Sequence, residues 1–218
     1  MKKIHLYLIG GIFLLFGIYL LIFQQGFYFY GFFSMGLFLI LLNIYNSISK
    51  EKLFHKWKTK QYLIFSILLI LFCVIIDKIG VFLGYWIGSD TISFRRIIEY
   101  IFRWIIPFLY LMLTLLIGME FFKIKLNKKI SFILSLIIFV TLIGLFTEYL
   151  NHLVNSWIIL KMPFTNYKIR GFFIIFQTLG YWVMAIIPLI IYKITNKTMK
   201  NKHFEKTRAK SKISYLLF

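Results

Sequence analysis

The sequence predicts an all-α polytopic bundle of about six membrane-spanning helices, with both termini on the cytoplasmic side. Three observations predict it. Hydrophobic residues make up 61% of the 218 residues and charged residues only 15%, against roughly 25% charged in soluble domains. The apolar residues fall in runs of about 20, the length that crosses a bilayer as a helix. Basic residues are crowded into alternate connections between those runs, the asymmetry that orients membrane helices. An ordinary water-soluble globule is thereby excluded, and no stretch remains for a separate soluble domain.

The first run, Ile4 to Phe23, follows Lys2 and Lys3 as a secretory signal would. Its apolar stretch is near 20 residues and lacks a small-x-small cleavage site, so it is expected to stay as the first span. Gln24-Gln25-Gly26 then turns the chain into a second run, Phe27 to Tyr45. The third is Tyr62 to Leu83, the fourth Ile97 to Phe122, the fifth Ile130 to Tyr149 and the sixth Gly171 to Tyr192. Pro107 and Pro188 are expected to kink the fourth and sixth helices, because proline removes a backbone donor and crowds the preceding turn. Gly10-Gly11 and Gly31/Gly36 permit close approach between helices. Residues 1–192 thus form the bundle, and residues 193–218 a basic cytoplasmic tail.

The net charge of +19 is explained by this topology. Lys2 and Lys3, five lysines from Lys50 to Lys60, four from Lys123 to Lys129 and eight basic residues from Lys193 to Lys212 all fall on one side. Together they are 19 of the 26 basic residues. The turn at Gln24 has none, and the other two outer connections hold Arg95, Arg96, Lys161, Lys168 and Arg170. Attraction to anionic headgroups accounts for such segments, and no nucleic-acid partner is expected. The single cysteine, Cys73, lies within an apolar run, so neither a disulfide framework nor a thiol metal cluster is available.

Seven acidic residues remain. Glu51 and Glu205 fall in cytoplasmic segments, and Glu120 lies near the inner end of the fourth helix, within reach of Lys123 or Lys125. Asp77, Asp90, Glu99 and Glu148 map to the outer half. Arg96, Glu99 and Arg103 share one helical stripe by their i, i+3, i+7 spacing, and the fifth helix ends in Glu148, Asn151 and His152. An ionisable group within a bilayer is a functional candidate by default, because it must be paired or face a cavity. Ion pairs that only lock helices together, or side chains that snorkel to the interface, are the structural alternatives.

Asp77 is followed nine residues later by Trp86, and Glu148 nine residues later by Trp157, an offset of 71 between the two units. In each unit an acid near the outer end of an outgoing helix precedes a tryptophan in the outer connection. This favours a same-direction duplication of two-helix units, residues 62–122 and 130–192, although Glu99 maps onto Arg170 and the repeat fails there.

These residues resemble a family, the small integral-membrane lycopene cyclases of carotenoid synthesis, which occur as heterodimers or fused tandem domains. The family's unit looks like an Asp at a helix end, a Trp nine residues on, and a Pro-apolar-Glu-Glu start to the next helix followed by aromatic residues. Asp77 and Trp86 match the first part, and Ile98-Glu99-Tyr100-Ile101-Phe102 is similar to the second with one Glu retained. Arg96 stands in the place of the proline and Ile98 in that of the first Glu. The second unit keeps Glu148 and Trp157 without a Glu pair, and six spans stand against the seven usual in the fused form. The resemblance covers roughly residues 62 to 182.

The resemblance implies an integral-membrane cyclase acting on a long-chain isoprenoid. Such a reaction needs a Brønsted acid beside a terminal double bond, stabilisation of a carbocation and removal of a proton. A carboxylic acid in a water-poor pocket suits it, and carboxylates in different environments can divide the acid and base roles. Glu99 is then the candidate acid, with Asp77 or Glu148 as its partner. Trp86, Tyr100, Trp104 and Trp157 are the candidate aromatic lining, by cation–π attraction, and Arg103 and Asn151 complete the substrate-binding set. No metal or other cofactor is implied. The partners are an isoprenoid or other lipid, the bilayer itself and a homo- or hetero-oligomeric neighbour. Two alternatives stand beside it: a transporter or channel whose polar pathway the same acids line, and a non-catalytic relative that binds lipid or a partner subunit.

Overall fold

The protein was analysed as a computed structural model, which describes residues 3–23, 26–50, 52–54, 57–84, 101, 105–154 and 179–197. Among these residues the chain is helical almost throughout and forms no strand. Six helical rods are long and apolar enough to cross a membrane. They comprise α1 (Lys3–Ile22), α2 (Gly26–Ile48), α3 (Thr59–Phe82), α4 (Ile106–Lys123), a fifth rod built in three pieces, and α7 (Leu179–Lys197). The fifth rod runs through α5 (Lys128–Leu134), a π-helical stretch (Ser135–Val140) and α6 (Thr141–Val154). In hydrocarbon every backbone polar group must be satisfied within the chain, and helices do this segment by segment.

The hairpin of α1 and α2 combines apolar contacts, Phe16 meeting Phe32 edge to face at 4.7 Å and Leu14, Leu20 and Leu21 packing against the cluster of Phe29, Tyr30 and Phe33, with small residues that let the backbones approach. A Cβ added at Gly36 would lie 2.7 Å from the backbone nitrogen of Leu14, and one at Gly17 would lie 2.8 Å from that of Phe33. A Cβ at Gly10 would meet Ile40 at 2.8 Å, whereas Gly11 has nothing within 4 Å. The close approach expected of the Gly10-Gly11 pair therefore belongs to Gly10, with Gly17 as an unforeseen third contact. Hydrocarbon surrounds both helices as readily as it surrounds leucine, so association depends on dispersion contacts, which small residues bring closer.

The centre of the bundle is α4. Tyr110, Leu111, Met112, Leu113 and Leu115 are fully buried, packed with Leu136 and Val140 of the π segment and with Tyr181, Ala185 and Leu189 of α7. Pro107 stands in the first turn of α4, just after the π-helical backbone of Ile105. Pro188 is buried inside α7.

On α3, Gln61, Phe65, Leu69 and Cys73 form a buried stripe at four-residue spacing. Phe65, Leu69 and Cys73 pack against Phe108 of α4 and Ile191 of α7. The basic end of the bundle is closed by an aromatic hub. Phe54, in the connection between α2 and α3, has a left-handed backbone (φ 62°), unusual for a bulky residue. Its ring meets Trp57, Tyr62, Phe65 and Tyr192 at centroid distances of 4.8, 6.1, 5.8 and 5.5 Å. Its carbonyl accepts from Tyr62 Oη at 2.8 Å. Asn46 Oδ1 accepts from the Leu53 amide at 2.9 Å, and Trp57 Nε1 donates to Asn196 Oδ1 at 2.7 Å.

Several boundaries differ from expectation by a few residues, α2 running on to Ile48 and α3 beginning at Thr59 among them, and two of the differences have identifiable reasons. The fifth rod begins at Lys128 rather than Ile130, because Asn127 caps it by accepting from the Ile130 amide at 2.9 Å. The last helix continues to Lys197, past the expected start of the tail at Lys193. Lysine at a helix C-terminus is favoured by the dipole, and its stem tolerates apolar surroundings.

Candidate functional site

Within the fifth rod, hydroxyl side chains donate to backbone carbonyls of the preceding turn. Ser131 Oγ donates to Asn127 O at 2.8 Å, Ser135 Oγ to Ser131 O at 2.6 Å and Thr141 Oγ1 to Leu136 O at 3.1 Å. Such bonds accompany local departures from the α pattern, and π turns recur at functional positions. Thr141 Oγ1 also accepts from Trp182 Nε1 at 3.0 Å, tying the stretch to α7. Gly118 lets α4 approach here, since a Cβ would meet Ser135 Oγ at 2.9 Å.

One turn beyond Gly144, Glu148 is 4% exposed in the interior of the bundle. Tyr181 Oη of α7 donates to its Oε1 at 2.5 Å. The contact depends on a missing side chain: a Cβ on Gly144 would lie 2.7 Å from the Tyr181 ring, so glycine alone lets that ring lie flat on α6 and reach the carboxyl group. Alongside, Thr147 Oγ1 donates to Ile143 O at 2.8 Å and lies 3.2 Å from Tyr110 Oη. Its only proton is thus committed to the backbone, so Tyr110 is the donor and Thr147 the acceptor. Tyr30 Oη of α2 lies 3.5 Å from Tyr110 Oη, a loose contact in which Tyr110 can only accept.

Four elements therefore place a carboxyl group, three phenols and a threonine hydroxyl together at the end of the bundle away from the lysines. Ser34, one turn along α2 from Tyr30, is fully buried beside that tyrosine, and its hydroxyl makes no hydrogen bond of good geometry. Phe29, Phe33 and Leu150 pack around Tyr30 and exclude water from this side.

No protein-family model, curated protein or solved structure matches the chain. The functional reading therefore stands on the residues themselves.

Of the acids singled out in the sequence, Glu148 is buried in the bundle. Asp77 extends the buried α3 stripe by one further turn beyond Cys73, and is half-buried there. Glu120 forms the expected inner-end pair, with Lys123 Nζ at 3.4 Å from Oε1. Glu99, Trp86, Tyr100, Arg103, Trp104 and Trp157 lie outside the described residues. Asn151 and His152 are described only as helical backbone of α6. Among the described residues no three His, Cys, Asp or Glu side chains gather as a metal-binding set.

Tyr30, Tyr110, Thr147 and Tyr181 are the members that sequence reasoning missed. A tyrosine in an apolar run is equally compatible with a packing, lipid-facing or interfacial place. The usable signal was spacing: Tyr30/Ser34 and Tyr110/Thr114 are polar pairs at i, i+4 inside apolar runs, which place two polar groups on one face. On the same stripes but nearer the lysines lies an apolar groove of about 290 Å³, lined by Leu41, Ile44, Ile117, Phe139 and Ile143, with Thr114 as a polar lining residue. Thr114 is one turn from Tyr110, and Ile143 one turn from Thr147.

Proposed function

We propose that the chain is an integral-membrane isoprenoid cyclase, of the kind its motifs resemble, in which Glu148 is a proton-donating carboxyl group oriented by Tyr181. The observation that carries this reading is the burial of Glu148 on a tyrosine hydroxyl within membrane-spanning helices. A carboxyl group held away from water is suited to protonating a weakly basic carbon, and phenol rings stabilise a nearby cation. The neighbouring groove supports an apolar substrate that enters from the lipid.

The chemistry balances without a cofactor. A carboxyl proton adds to a terminal carbon–carbon double bond, leaving a tertiary cation. The next suitable double bond attacks that cation and closes a ring. A ring proton then passes to a carboxylate, which restores a double bond, so the product is an isomer of the substrate. Asp77 and Glu99 complete the set of carboxyl groups among which donor and acceptor roles divide.

The test is co-expression in a polyene-producing bacterium, with pigments resolved by chromatography. The wild-type chain is expected to yield a ringed product. Glu148→Gln is expected to lower it by about 100-fold or more, the usual contribution of a general acid, while the protein still inserts. Equal product from both would remove Glu148 from the reaction. An unchanged pigment profile with the wild-type chain would overturn the cyclase reading in favour of a non-catalytic lipid- or partner-binding protein.

A further inference from the structure

The basic end of the bundle holds more than a scatter of lysines. Trp57 stacks on Tyr192 with ring centroids 5.1 Å apart, and donates to Asn196 Oδ1 at 2.7 Å. These two contacts fasten the connection before α3 to the last turns of α7. Lys58 follows Trp57 directly, Lys193 follows Tyr192, and Lys197 follows Asn196, so the contacts draw three lysines of distant sequence to one place. Lys60 adds a fourth in the first turn of α3. All four are exposed, and among the described residues none takes part in an ion pair. The other basic connection differs, because there Lys123 is paired with Glu120.

Charge and depth together identify what fits. Residues 50–60 carry five lysines against one acid, Glu51, and residues 193–197 carry two lysines and no acid. Lysine binds phosphate as a point charge, and clusters of four or more immediately beside a spanning helix attract anionic headgroups. The hub's tryptophan and tyrosines mark the headgroup level, where amphipathic rings settle. Directly towards the membrane centre, α3 exposes Leu63 and Ile67, and α7 exposes Ile190. A ligand with its phosphate at the lysines has its hydrocarbon against these residues.

We propose that Lys58, Lys60, Lys193 and Lys197, gathered by the Trp57–Tyr192–Asn196 contacts, form a specific site for the headgroup of an anionic phospholipid. By the basic-residue asymmetry this is the cytoplasmic leaflet. The site is independent of the chemistry at Glu148.

The experiment uses the purified full-length protein, with retained phosphatidylglycerol and phosphatidylcholine measured by native mass spectrometry. The K58Q/K193Q/K197Q variant is compared with K125Q/K128Q/K129Q, which removes the same charge from the other basic connection. The first triple is expected to lose at least about tenfold more phosphatidylglycerol affinity than the second, given the contribution of each lysine near an anionic surface. The K58R/K193R/K197R variant is expected to keep the affinity, and the three single Lys→Gln variants to show partial losses even if the triple fails to insert. Equal losses in both triples would overturn the proposal, as would comparable retention of phosphatidylcholine. Displacement of the lipid by inorganic phosphate alone would also overturn it, by showing that the site takes a free anion.

Discussion

Tyr181 and Gly144 together determine how Glu148 is held. Removing the phenol oxygen in Tyr181→Phe leaves the ring packed and deletes the 2.5 Å hydrogen bond. The expected destabilisation is modest, about 1 kcal/mol, as for most hydrogen bonds between membrane helices. In Gly144→Ala the new methyl group would meet the Tyr181 ring at 2.7 Å. The ring must move away, and the hydrogen bond is lost through displacement rather than deletion. Under the proposed cyclase function both variants are therefore expected to weaken ring formation in the co-expression assay, with the Gly144 variant losing more stability in a detergent unfolding titration. A Gly144→Ala protein with wild-type product and stability would show that the Tyr181 position is not set by this contact. At this scale Glu148 was legible from sequence, because an acid in an apolar run is conspicuous. Tyr181 was not, since a tyrosine within a span is equally compatible with a lipid-facing or interfacial place. Its role depends on a glycine in another helix, a relation that one-dimensional spacing does not contain.

Among the elements, the α1–α2 hairpin offers the sharpest test. Leucine at Gly17 or Gly36 would have to enter backbone contacts of 2.7–2.8 Å, and is expected to destabilise by about 1–3 kcal/mol, as overpacking does. Leucine at Gly11 faces open space and is expected to change stability by less than about 0.5 kcal/mol. Chemical unfolding of the three variants in one detergent ranks them, and equal loss at Gly11 would refute the packing account. The helices themselves were readable because length and hydropathy suffice to find a span. Their ends were less so. Asn127 extends the fifth rod by accepting a single amide, and Lys193 and Lys197 sit in a helix that their charge alone would have ended. The π stretch was invisible, because Ser131, Ser135 and Thr141 read as ordinary small residues until their hydroxyls are seen on backbone carbonyls.

For the whole molecule, the decisive property is the separation of its two polar regions. The lysine-rich hub closes one end of the bundle, and the tyrosine–carboxylate cluster lies towards the other, with the apolar core of α4 between them. The basic-residue asymmetry predicts that the hub faces the cytoplasm. With Cys73 replaced, a single cysteine introduced at exposed Lys60 or Lys125 is expected to react with a membrane-impermeant thiol reagent only after the cytoplasmic side is opened. Labelling of either position in intact cells would reverse the orientation. The bundle class was legible from composition and alternation alone. The convergence of α2, α4, α6 and α7 on Glu148 was not, because hydropathy counts the helices without saying which of them are neighbours.

The π-helical stretch from Ser135 to Val140 has one more consequence. Such a stretch is an α-helix that has absorbed an additional residue, and each residue in a regular helix turns its successors by about 100°. The wider turn takes up that residue by winding less tightly, so the segments on either side keep their facing. Shortening the stretch by one amino acid is therefore expected to leave Thr147 and Glu148 turned towards Tyr110 and Tyr181, whereas the same deletion in the regular turns between Thr141 and Thr147 would swing both by about 100° round the axis and away from those partners.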